Sequence, residues 1–592
     1  MSDESTKQRR SEIWFNDKAE PGETAVYLER YPTWGMTRGE LQGGKPIIGI
    51  AQSGSELTPC NRIHLSLAAR VKDGIRDAGG IPFEFPIHPI QESCRRPTAA
   101  LDRNLAYLGL VEILVGYPFD GVVLTTACDK TTPASLMAAA TVNMPAIVLS
   151  GGPMLDSYHN GKLAGSGMAL WEARRLRAAN QITDDELIEI TCQSSPGPGH
   201  CNTMGTALSM NSVAEALGMS LPGCAAIPAP DGARSRMAYE TGKRIVEMVR
   251  EDLTPKKIMT REAFENAIVV NSAIGGSTNC APHITAIARH IGVEVTVKDF
   301  ETVGHNVPLL ANVQPAGEFL GQGFHRAGGV PAIMGELVRA GRLHENAITA
   351  NGRTVGENCR DVQILDDKII RPYANPVKKE AGFMVLSGNL FTSALIKTSV
   401  ISPDFRKRFL SDPNAEECFV SRVIVFDGPE DYRHRIEDPA LNIDEHCMLV
   451  VRGTGPLGYP GSSEVVNMTP PGALVRSGAR MLPCMGDGRQ SGTSDSPSIL
   501  HAVPESAAGG NLAILRTGDK VKVDLKNRRV DLLVSDEEIE ARRKALPPAA
   551  LKNDSPWQEF YRAHVGQLDT GACLEFAVDY HDLRKTVPRH SH

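Results

Sequence analysis

Three cysteines lie far apart in the chain but share one local context. Cys60 lies in TPCNR, Cys128 in ACDKTTPA and Cys201 in HCNTMGTA, so each directly precedes an Asn or Asp. Each also falls where an apolar run gives way to a helix-like pattern, which predicts a position just before a helix. The backbone N–H groups and the positive end of a helix dipole favour the thiolate, the form that binds metal.

The number of these cysteines bears on the kind of site they would form. Their wide spacing rules out a metal site formed within one short segment, so they can meet only where successive loops converge at the carboxyl edge of a sheet. Four thiolates would close a structural zinc or iron–sulfur site, whereas three leave one metal position open to substrate, as Lewis-acid chemistry requires. The sequence contains no C-x-x-C pair, so a zinc ribbon is not supported.

Carboxylates near the cysteines predict a second metal site. Glu92 lies in HPIQESCRRP, Asp129 adjoins Cys128, and Glu464 lies in GPLGYPGSSEVVNM. Such hard oxygen ligands suit Mg²⁺, although each acid taken alone is typical of a solvated surface. Lys130 cannot ligate a cation as an ammonium group. It either pairs with the acids or carries CO₂ as a carbamate, and the residues alone leave both alternatives open.

A Gly- and Ser-rich stretch, GDGRQSGTSDSPS (486–498), has two interpretations. It is either a flexible loop or a tight turn that presents Ser491 near a metal. A serine is a poor base at its ordinary pKa, but a nearby cation stabilises its alkoxide.

The elements that must position these residues change in type along the chain. Apolar runs at 46–52, 81–85, 120–126 and 145–151 alternate with helix-like stretches, which predicts a mainly parallel sheet with flanking helices. From about 166 to 290 the pattern is mostly helical. After RPYANPVKKEAG, strand-like runs that include LAILRTG, separated by Gly and Pro turns, predict a β-barrel-like domain. The predicted fold class is therefore α/β, with an N-terminal domain at 1–375 and a C-terminal β-rich domain at 376–592.

The composition excludes several functional classes. The chain has 592 residues, 12 cysteines and a formal net charge of −7, so it has neither the basic field of a nucleic-acid-binding protein nor a disulfide scaffold. No apolar run is long enough to span a membrane, and the N-terminus lacks the apolar core of a signal peptide. We therefore expect a cytoplasmic protein with no nucleic-acid or membrane partner.

Taken together, the motifs resemble those of the dihydroxyacid dehydratase/phosphogluconate dehydratase family. The resemblance rests on TPCN, TTACDKTTPA, GHCNTMGTA, GPxGxPGxxE and DGRxSGT, which occur in order over nearly the whole chain. Within the family, the chain looks closest to the pentonate (sugar-acid) dehydratases. The segments that carry this likeness are AVYLERY, GKPIIGIAQSGSELTPCNRIH, CRRPTAALDRNL and the PRHSH tail. SGSELTPCN and ILHAVPES depart from the pattern of the branched-chain biosynthetic members.

The resemblance implies a role for each motif residue. The cysteines match ligands of an iron–sulfur cluster, 2Fe-2S in the subgroup and 4Fe-4S in some relatives: Cys60, Cys128 and Cys201. The Mg²⁺ ligands are matched by Glu92, Asp129 and Glu464, together with Lys130, which is carboxylated in relatives. Ser491 matches the catalytic base and Thr493 a residue near the substrate. In similar enzymes the tail reaches a neighbouring subunit, which places His590 or His592 at the substrate and implies a homodimer or homotetramer. The alternative for PRHSH is a frayed terminus.

The implied reaction is removal of water from a polyhydroxy acid such as L-arabinonate or D-xylonate, which yields a 2-keto-3-deoxy acid. One alternative is a dihydroxyacid dehydratase of branched-chain amino-acid biosynthesis, or an enzyme that acts on both substrate groups. A second is a metal-sensing or iron-storage protein without turnover. A third is a zinc-dependent aldolase or hydrolase, which would usually have a His-rich ligand set.

Overall fold

The computed structural model describes residues 8–96 and 99–586. The first sheet has four strands, β1 (Ile47–Gln52), β2 (Ile81–Pro86), β3 (Gly121–Thr126) and β4 (Ala146–Ser150), in the order β2-β1-β3-β4 with every pairing parallel. Strands β1, β3 and β4 are buried along their whole length, as expected for parallel strands rich in Val, Ile and Leu. The four predicted apolar runs are thus the four strands of this sheet.

Helices cover both faces of the first sheet and continue well beyond it. In chain order they are α1 (Arg10–Phe15), α2 (Pro21–Leu28), α3 (Arg38–Gln42), α4 (His64–Asp77), α5 (Ala99–Gly116), α6 (Thr131–Val142), α7 (Met168–Ala178), α8 (Asp184–Gln193), α9 (Thr206–Ala216), α10 (Gly232–Arg250), α11 (Pro255–Ile258), α12 (Arg261–Ala273), α13 (Cys280–Ile291), α14 (Val297–Thr302), α15 (Gly321–Arg326), α16 (Gly329–Arg339) and α17 (Val355–Cys359). A two-stranded hairpin, β5 (Tyr158–His159) and β6 (Lys162–Leu163), precedes α7. Helix α4 illustrates how apolar spacing predicts a helix with one buried face, since Leu67, Val71 and Ile75 recur every four residues and are all buried.

The second sheet has eight strands and forms a nearly closed barrel. Its strands are β7 (Phe383–Leu386), β8 (Ser393–Lys397), β9 (Cys418–Asp427), β10 (Cys447–Arg452), β11 (Cys484–Gly486), β12 (Ile499–Val503), β13 (Lys520–Asp524) and β14 (Arg529–Leu532). They run in the order β14-β13-β9-β10-β11-β12-β8-β7, and a parallel bridge between Ser387 and Arg529 brings the two edges together. The α/β fold class with a barrel-like C-terminal part is confirmed.

One predicted strand in this part is wrong. The run LAILRTG, expected to be a strand, begins with a 3₁₀ turn at Asn511–Ile514. Leu512 and Ile514 are buried in the barrel core, and the guanidinium of Arg452 satisfies the backbone carbonyls of 512, 513 and 515. The apolar residues of this run are therefore buried without forming a strand. The Arg452 side chain, instead of a neighbouring strand, supplies hydrogen bonds to its backbone carbonyls.

The remaining helices frame the barrel, and the last one returns to the first part of the chain. They are α18 (Pro403–Phe409), α19 (Gly428–Arg435), α20 (Gly472–Ser477), α21 (Asp536–Lys544) and α22 (Pro556–His564). Tyr561, Cys573 and Leu574 belong to the same apolar cluster as the first sheet. The domain boundary at 375/376 stays a prediction. Among the described residues, no helix is both long and apolar enough to cross a membrane.

Candidate active site

The candidate site lies at the carboxyl edge of the first sheet. The chain passes from β1 to β2 on one side and then back to β3 on the other side of β1, so the connections diverge between β1 and β3. Such a switch point opens a crevice in which ligands bind. Cys60 follows β1, Glu92 follows β2, and Cys128 follows β3 by two residues. The topology therefore brings together residues that are far apart in the sequence.

Two of the three cysteine loops are tied to each other by an asparagine. Cys60 lies in the 3₁₀ turn Pro59–Asn61, and Asn61 Oδ1 accepts a hydrogen bond from the backbone N–H of Cys128 at 2.9 Å. Asn61 Nδ2 donates to the carbonyl of Ile90 at 3.2 Å, which also fixes the loop that carries Glu92. The Asn that follows this cysteine is therefore a structural tie between loops.

The third cysteine loop has a tie of the same kind. Asn202, which follows Cys201, accepts the backbone N–H of Ser166 at 2.9 Å and donates to the carbonyl of Leu155 at 2.8 Å. This holds the turn before α9 against the segment after β4. Both Asn side chains thus tie loops together, which explains part of the shared Cys-Asn pattern.

The three thiols do not share a low pKa. A hydrogen bond between Cys60 and Cys128 lowers the pKa of Cys60 and raises the pKa of Cys128 well above its ordinary value, where burial adds to the rise. Burial raises the pKa of Cys201 to about 12. The expected helix-start effect is weak because the thiols lie three to five residues ahead of α4, α6 and α9, beyond the first turn. Metal binding would therefore have to release thiol protons.

Three carboxylates converge beside the thiols. Glu92, Asp129 and Glu464 each offer an oxygen within 4.8 Å of the other two, and among the described residues this is the one such group of His, Cys, Asp or Glu ligand atoms. Asp129 Oδ1 lies 3.4 Å from the sulfur of Cys128, so the carboxylates and thiols share one site. The three thiols do not form an equally compact set, so they suit a multi-metal cluster better than a single ion such as zinc.

Two buried cations balance the carboxylates. Lys130 Nζ lies 2.8 Å from Glu92 and 2.8 Å from Asp129, and it is fully buried. Arg489 reaches Glu92 at 3.3 Å and Glu464 at 3.2 Å, and it is 1% exposed. Of the two alternatives for Lys130, the unmodified side chain thus pairs with the acids. Its carboxylation stays a prediction.

The charge balance of the carboxylate group favours an added cation. Burial opposes ionisation of Glu92, but Lys130 and Arg489 outweigh it and hold the pKa of Glu92 below its ordinary value. Burial and the charge of Glu92 raise the pKa of Glu464 to about 8, and burial also raises the pKa of Asp129. Two of the three acids therefore lack enough positive charge nearby, and a divalent cation would supply it. The residues present fit a hard cation such as Mg²⁺.

Asn279, at the end of GGSTN (275–279), joins the carboxylate group to the serine loop. Its Nδ2 donates to Glu464 Oε1 and, at 2.9 Å, to the carbonyl of Gln490, the residue before Ser491. Its Oδ1 is buried with no hydrogen-bond partner in the described part of the chain. That oxygen is free to accept a hydrogen bond from a group bound beside Glu464.

The serine loop is a tight, well-anchored turn rather than a flexible segment. Ser491 Oγ lies 2.8 Å from Thr493 Oγ1, and the indole N–H of Trp171 on α7 donates to Thr493 Oγ1 at 2.8 Å. A Cβ on Gly492 would lie 2.5 Å from the backbone N of Thr206, so only glycine permits this approach to α9. Arg175 pairs with Asp495 at 3.1 Å and fixes the far end of the loop.

The loop that carries Glu464 is held by two other acids. Glu505 accepts hydrogen bonds from the backbone N–H groups of 457–458 at 2.9 and 3.0 Å. Asp487 accepts from the backbone N–H of Thr454 at 2.9 Å and from its hydroxyl at 2.8 Å. Both acids are fully buried. Backbone groups of the turn are thus satisfied by side chains, which fixes where Glu464 enters the site.

The structure brings together every predicted site residue that it describes. The predicted roles of these residues stay predictions, and His590 and His592 lie outside the described residues. Sequence reasoning missed two partners, Arg489 and Asn279. Arg489 lies in the Gly- and Ser-rich stretch 486–498 and Asn279 in GGSTN (275–279), so the signal was a polar side chain next to a Gly-rich turn.

Comparison with known proteins gives matches over nearly the whole chain. Residues 45–358 match the model "Dihydroxy-acid/6-phosphogluconate dehydratase N-terminal", and residues 368–572 match the corresponding C-terminal model. A D-xylonate dehydratase of Caulobacter vibrioides is 58% identical over 592 residues, covering 100% of this chain and 99% of the relative. An L-arabinonate dehydratase of Rhizobium leguminosarum bv. trifolii is 41% identical, with 96% of each chain covered. A dihydroxy-acid dehydratase of Methanobrevibacter smithii is 37% identical, covering 92% of this chain and 98% of the relative.

Proposed function

Because the chain belongs to the dihydroxy-acid/6-phosphogluconate dehydratase family and is a hydro-lyase, we propose that it dehydrates a pentonate such as D-xylonate or L-arabinonate. The product would be the 2-keto-3-deoxy acid. The observation that carries the proposal is the convergence of three carboxylates and an anchored serine loop beside the thiols of Cys60, Cys128 and Cys201, whose pKa values respond to these neighbours. The full-length similarity to D-xylonate dehydratase supports the substrate class.

The proposal includes two metal groups. Cys60, Cys128 and Cys201 would hold a 2Fe-2S cluster, and Glu92, Asp129, Glu464 and carboxylated Lys130 would hold Mg²⁺. When bound, these groups would supply Lewis acids that polarise the substrate carboxylate and hydroxyls. Carboxylation would convert the Lys130 ammonium, now 2.8 Å from two acids, into a further oxygen donor. Arg489 would remain the fixed cation of the site.

The chain's own residues would carry the proton transfer. Ser491 Oγ, as the alkoxide, would take the proton from C2 of the substrate, the hydroxyl on C3 would leave, and the enol would tautomerise to the ketone. Thr493 would orient Ser491 through the 2.8 Å contact between their hydroxyls. Thr493 Oγ1 accepts a hydrogen bond from Trp171, so its own hydroxyl hydrogen is left to donate a hydrogen bond to the Ser491 alkoxide, which stabilises the alkoxide.

A substrate panel on anaerobically purified protein tests the proposal, with the ultraviolet–visible spectrum recorded first. D-xylonate, L-arabinonate, D-gluconate and 2,3-dihydroxyisovalerate are assayed side by side for 2-keto acid formation. We expect the pentonates to give the highest kcat/KM, and Ser491→Ala to remove turnover while the cluster absorbance stays. Preferred turnover of 2,3-dihydroxyisovalerate would contradict the proposal, as would a coloured protein that turns over none of the four acids.

We also propose a homo-oligomer, a dimer or a tetramer, in which His590 contacts substrate bound to a neighbouring subunit. This follows from the likeness of the PRHSH tail to those of sugar-acid dehydratases. Light scattering coupled to size-exclusion chromatography measures the assembly directly, and a monomer with full activity would contradict it.

A further inference from the structure

Lys397 is a buried lysine that the proposed function leaves without a role. It is the last residue of β8, and it is 7% exposed. Ala394 and Ile396 of this strand belong to the barrel core, whereas Leu395 belongs to the core of the first part of the chain. Because side chains alternate along a strand, Lys397 shares the face of Leu395, which points from the barrel toward the first part of the chain.

The surroundings of Lys397 are unusual for a buried cation. Among the described residues, no carboxylate forms an ion pair with it. The titratable groups that act on it are Cys280 at the start of α13 and Lys378 in the segment before β7. Burial lowers the pKa of Lys397 to about 7, the thiol of Cys280 opposes this, and the charge of Lys378 adds to it. Near neutral pH the amine is therefore able to exist without its extra proton.

Lys397 and Ser491 line the same small cavity. Its volume is about 10 Å³, roughly the space of one water molecule. Most of the other polar groups on its wall are hydroxyls, from Ser277, Thr278, Ser494, Ser496 and Ser498. Among the lining residues of this cavity, Lys397 is the one with a side chain that titrates near neutral pH.

We propose that Lys397 is the proton acceptor that converts Ser491 into the alkoxide base, with the hydroxyls of the shared cavity as the path between them. The inference rests on the proposed function, since it supplies the step that prepares Ser491 to attack C2. Arg489, two residues from Ser491, cannot serve because a guanidinium does not give up its proton in proteins. The carboxylates nearby are the proposed Mg²⁺ ligands, which leaves them unavailable as proton acceptors.

The proton balance of this step closes over one turnover. The O–H bond of Ser491 breaks and an N–H bond forms on the neutral Lys397 amine, while each hydroxyl on the path accepts one proton and passes on another. The alkoxide then takes the C2 proton and becomes Ser491 hydroxyl again. The hydroxide that leaves C3 takes up the proton from Lys397 and becomes water. Lys397 returns to the neutral amine, and no further reactant is needed.

Lys397→Met is the first test, because Met fills a similar volume without a proton-accepting group. We expect kcat to fall by about 100-fold or more, the range for a lost general acid–base group, with the cluster absorbance and thermal midpoint little changed. Lys397→Arg is expected to be as inactive as the Met variant, because it keeps the charge but cannot accept a proton. Lys522→Met is the control, since Lys522 lies on β13 of the same barrel and does not line the cavity, and it is expected to keep kcat.

The outcomes separate this inference from the proposed function. Wild-type turnover on the pentonates tests the function itself. An active wild type with a Lys397→Met variant within about threefold of its kcat would overturn only the role of Lys397. Recovery of activity by Lys397→Arg would also overturn it, because a fixed charge would then be sufficient. If the Met variant does not fold, the wild-type pH profile decides: kcat must fall as pH drops from 8 to 6 and Lys397 becomes protonated, and a flat profile contradicts the proposal.

Discussion

At the scale of single residues, the candidate site is a balance between buried charges. Three acids, one lysine and one arginine lie within a few ångströms of one another in a largely buried region. Such groups are held there only if each charge meets an opposite one, since an unpaired buried charge is costly. The excess of acids over cations therefore predicts that a bound cation would stabilise the site.

Arg489→Met tests whether the stability of the site depends on a bound cation. The change leaves Glu92 and Glu464 without their guanidinium, and breaking a buried pair in this way costs about 3–5 kcal/mol. We expect the thermal midpoint to fall strongly in a chelator and to recover in part with Mg²⁺, as measured by calorimetry. Arg480→Met is the control, because Arg480 pairs with Glu172 at the surface, where a pair contributes about 0–1 kcal/mol. Equal shifts in the two variants would contradict the argument.

The cysteines give a second prediction at this scale. Changing Cys60, Cys128 or Cys201 to Ser should remove activity and the visible cluster absorbance together, because each would supply one of three ligands. Cys192→Ser is the matched control, since Cys192 is exposed on α8. Iron and sulfide content, measured with the absorbance, would contradict the assignment if a Ser variant kept both.

At the scale of elements, the site depends on turns that approach each other closely. GGSTN joins α12 to α13 and places Asn279 between Glu464 and the carbonyl of Gln490. The serine loop in turn lies directly on the first turn of α9. Small displacements of these turns should therefore act on the chemistry more than on folding.

Asn279→Ala removes the tie between the carboxylate group and the serine loop. We expect kcat to fall by about 10- to 100-fold, since misplacement by about 1 Å can cost about 100-fold, with a smaller change in KM. Asn279→Asp should be worse, because it places a carboxylate against Glu464. Unchanged kcat in both variants would mean that Asn279 has no positioning role.

Gly492→Ala tests the close approach of the serine loop to α9. The added Cβ would meet the backbone N of Thr206 at 2.5 Å and the hydroxyl of Ser277 at 2.7 Å, so the loop must shift. We expect a large loss of kcat. Gly109→Ala on α5 is the control, because nothing lies within 4 Å of the added atom. Full activity of the Gly492 variant, measured on D-xylonate, would rule out the tight turn.

At the scale of the whole molecule, both parts of the chain contribute to the site. Glu464 and Ser491 come from the barrel part, whereas the cysteines and the other carboxylates come from the edge of the first sheet. Residues 556–586 run back over the first part, where Arg103 donates to the carbonyls of Gly571 and Ala572 at 2.8 and 2.7 Å. This return anchors the chain close to its C-terminus.

Deletion of residues 588–592 tests the predicted role of the tail. If His590 contacts substrate in a neighbouring subunit, kcat/KM for pentonates should fall, while the cluster absorbance and thermal midpoint stay as in the full chain. His590→Ala in the full-length protein should reproduce the loss. Unchanged kcat and KM in the deletion would show that the tail is not part of the site.

The sequence by itself determined the elements and the residue types of the site. Buried parallel strands and amphipathic helices leave strong periodic patterns, and Cys, Glu, Asp and Ser in Gly- and Pro-rich turns mark chemistry at loop positions. Tertiary structure alone decided which charges meet. Arg489, Asn279 and Lys397 reach the site across distances in sequence that no local pattern records. It also decided the thiol pKa values and the turn at Asn511–Ile514, because burial and hydrogen-bond partners depend on the packed chain.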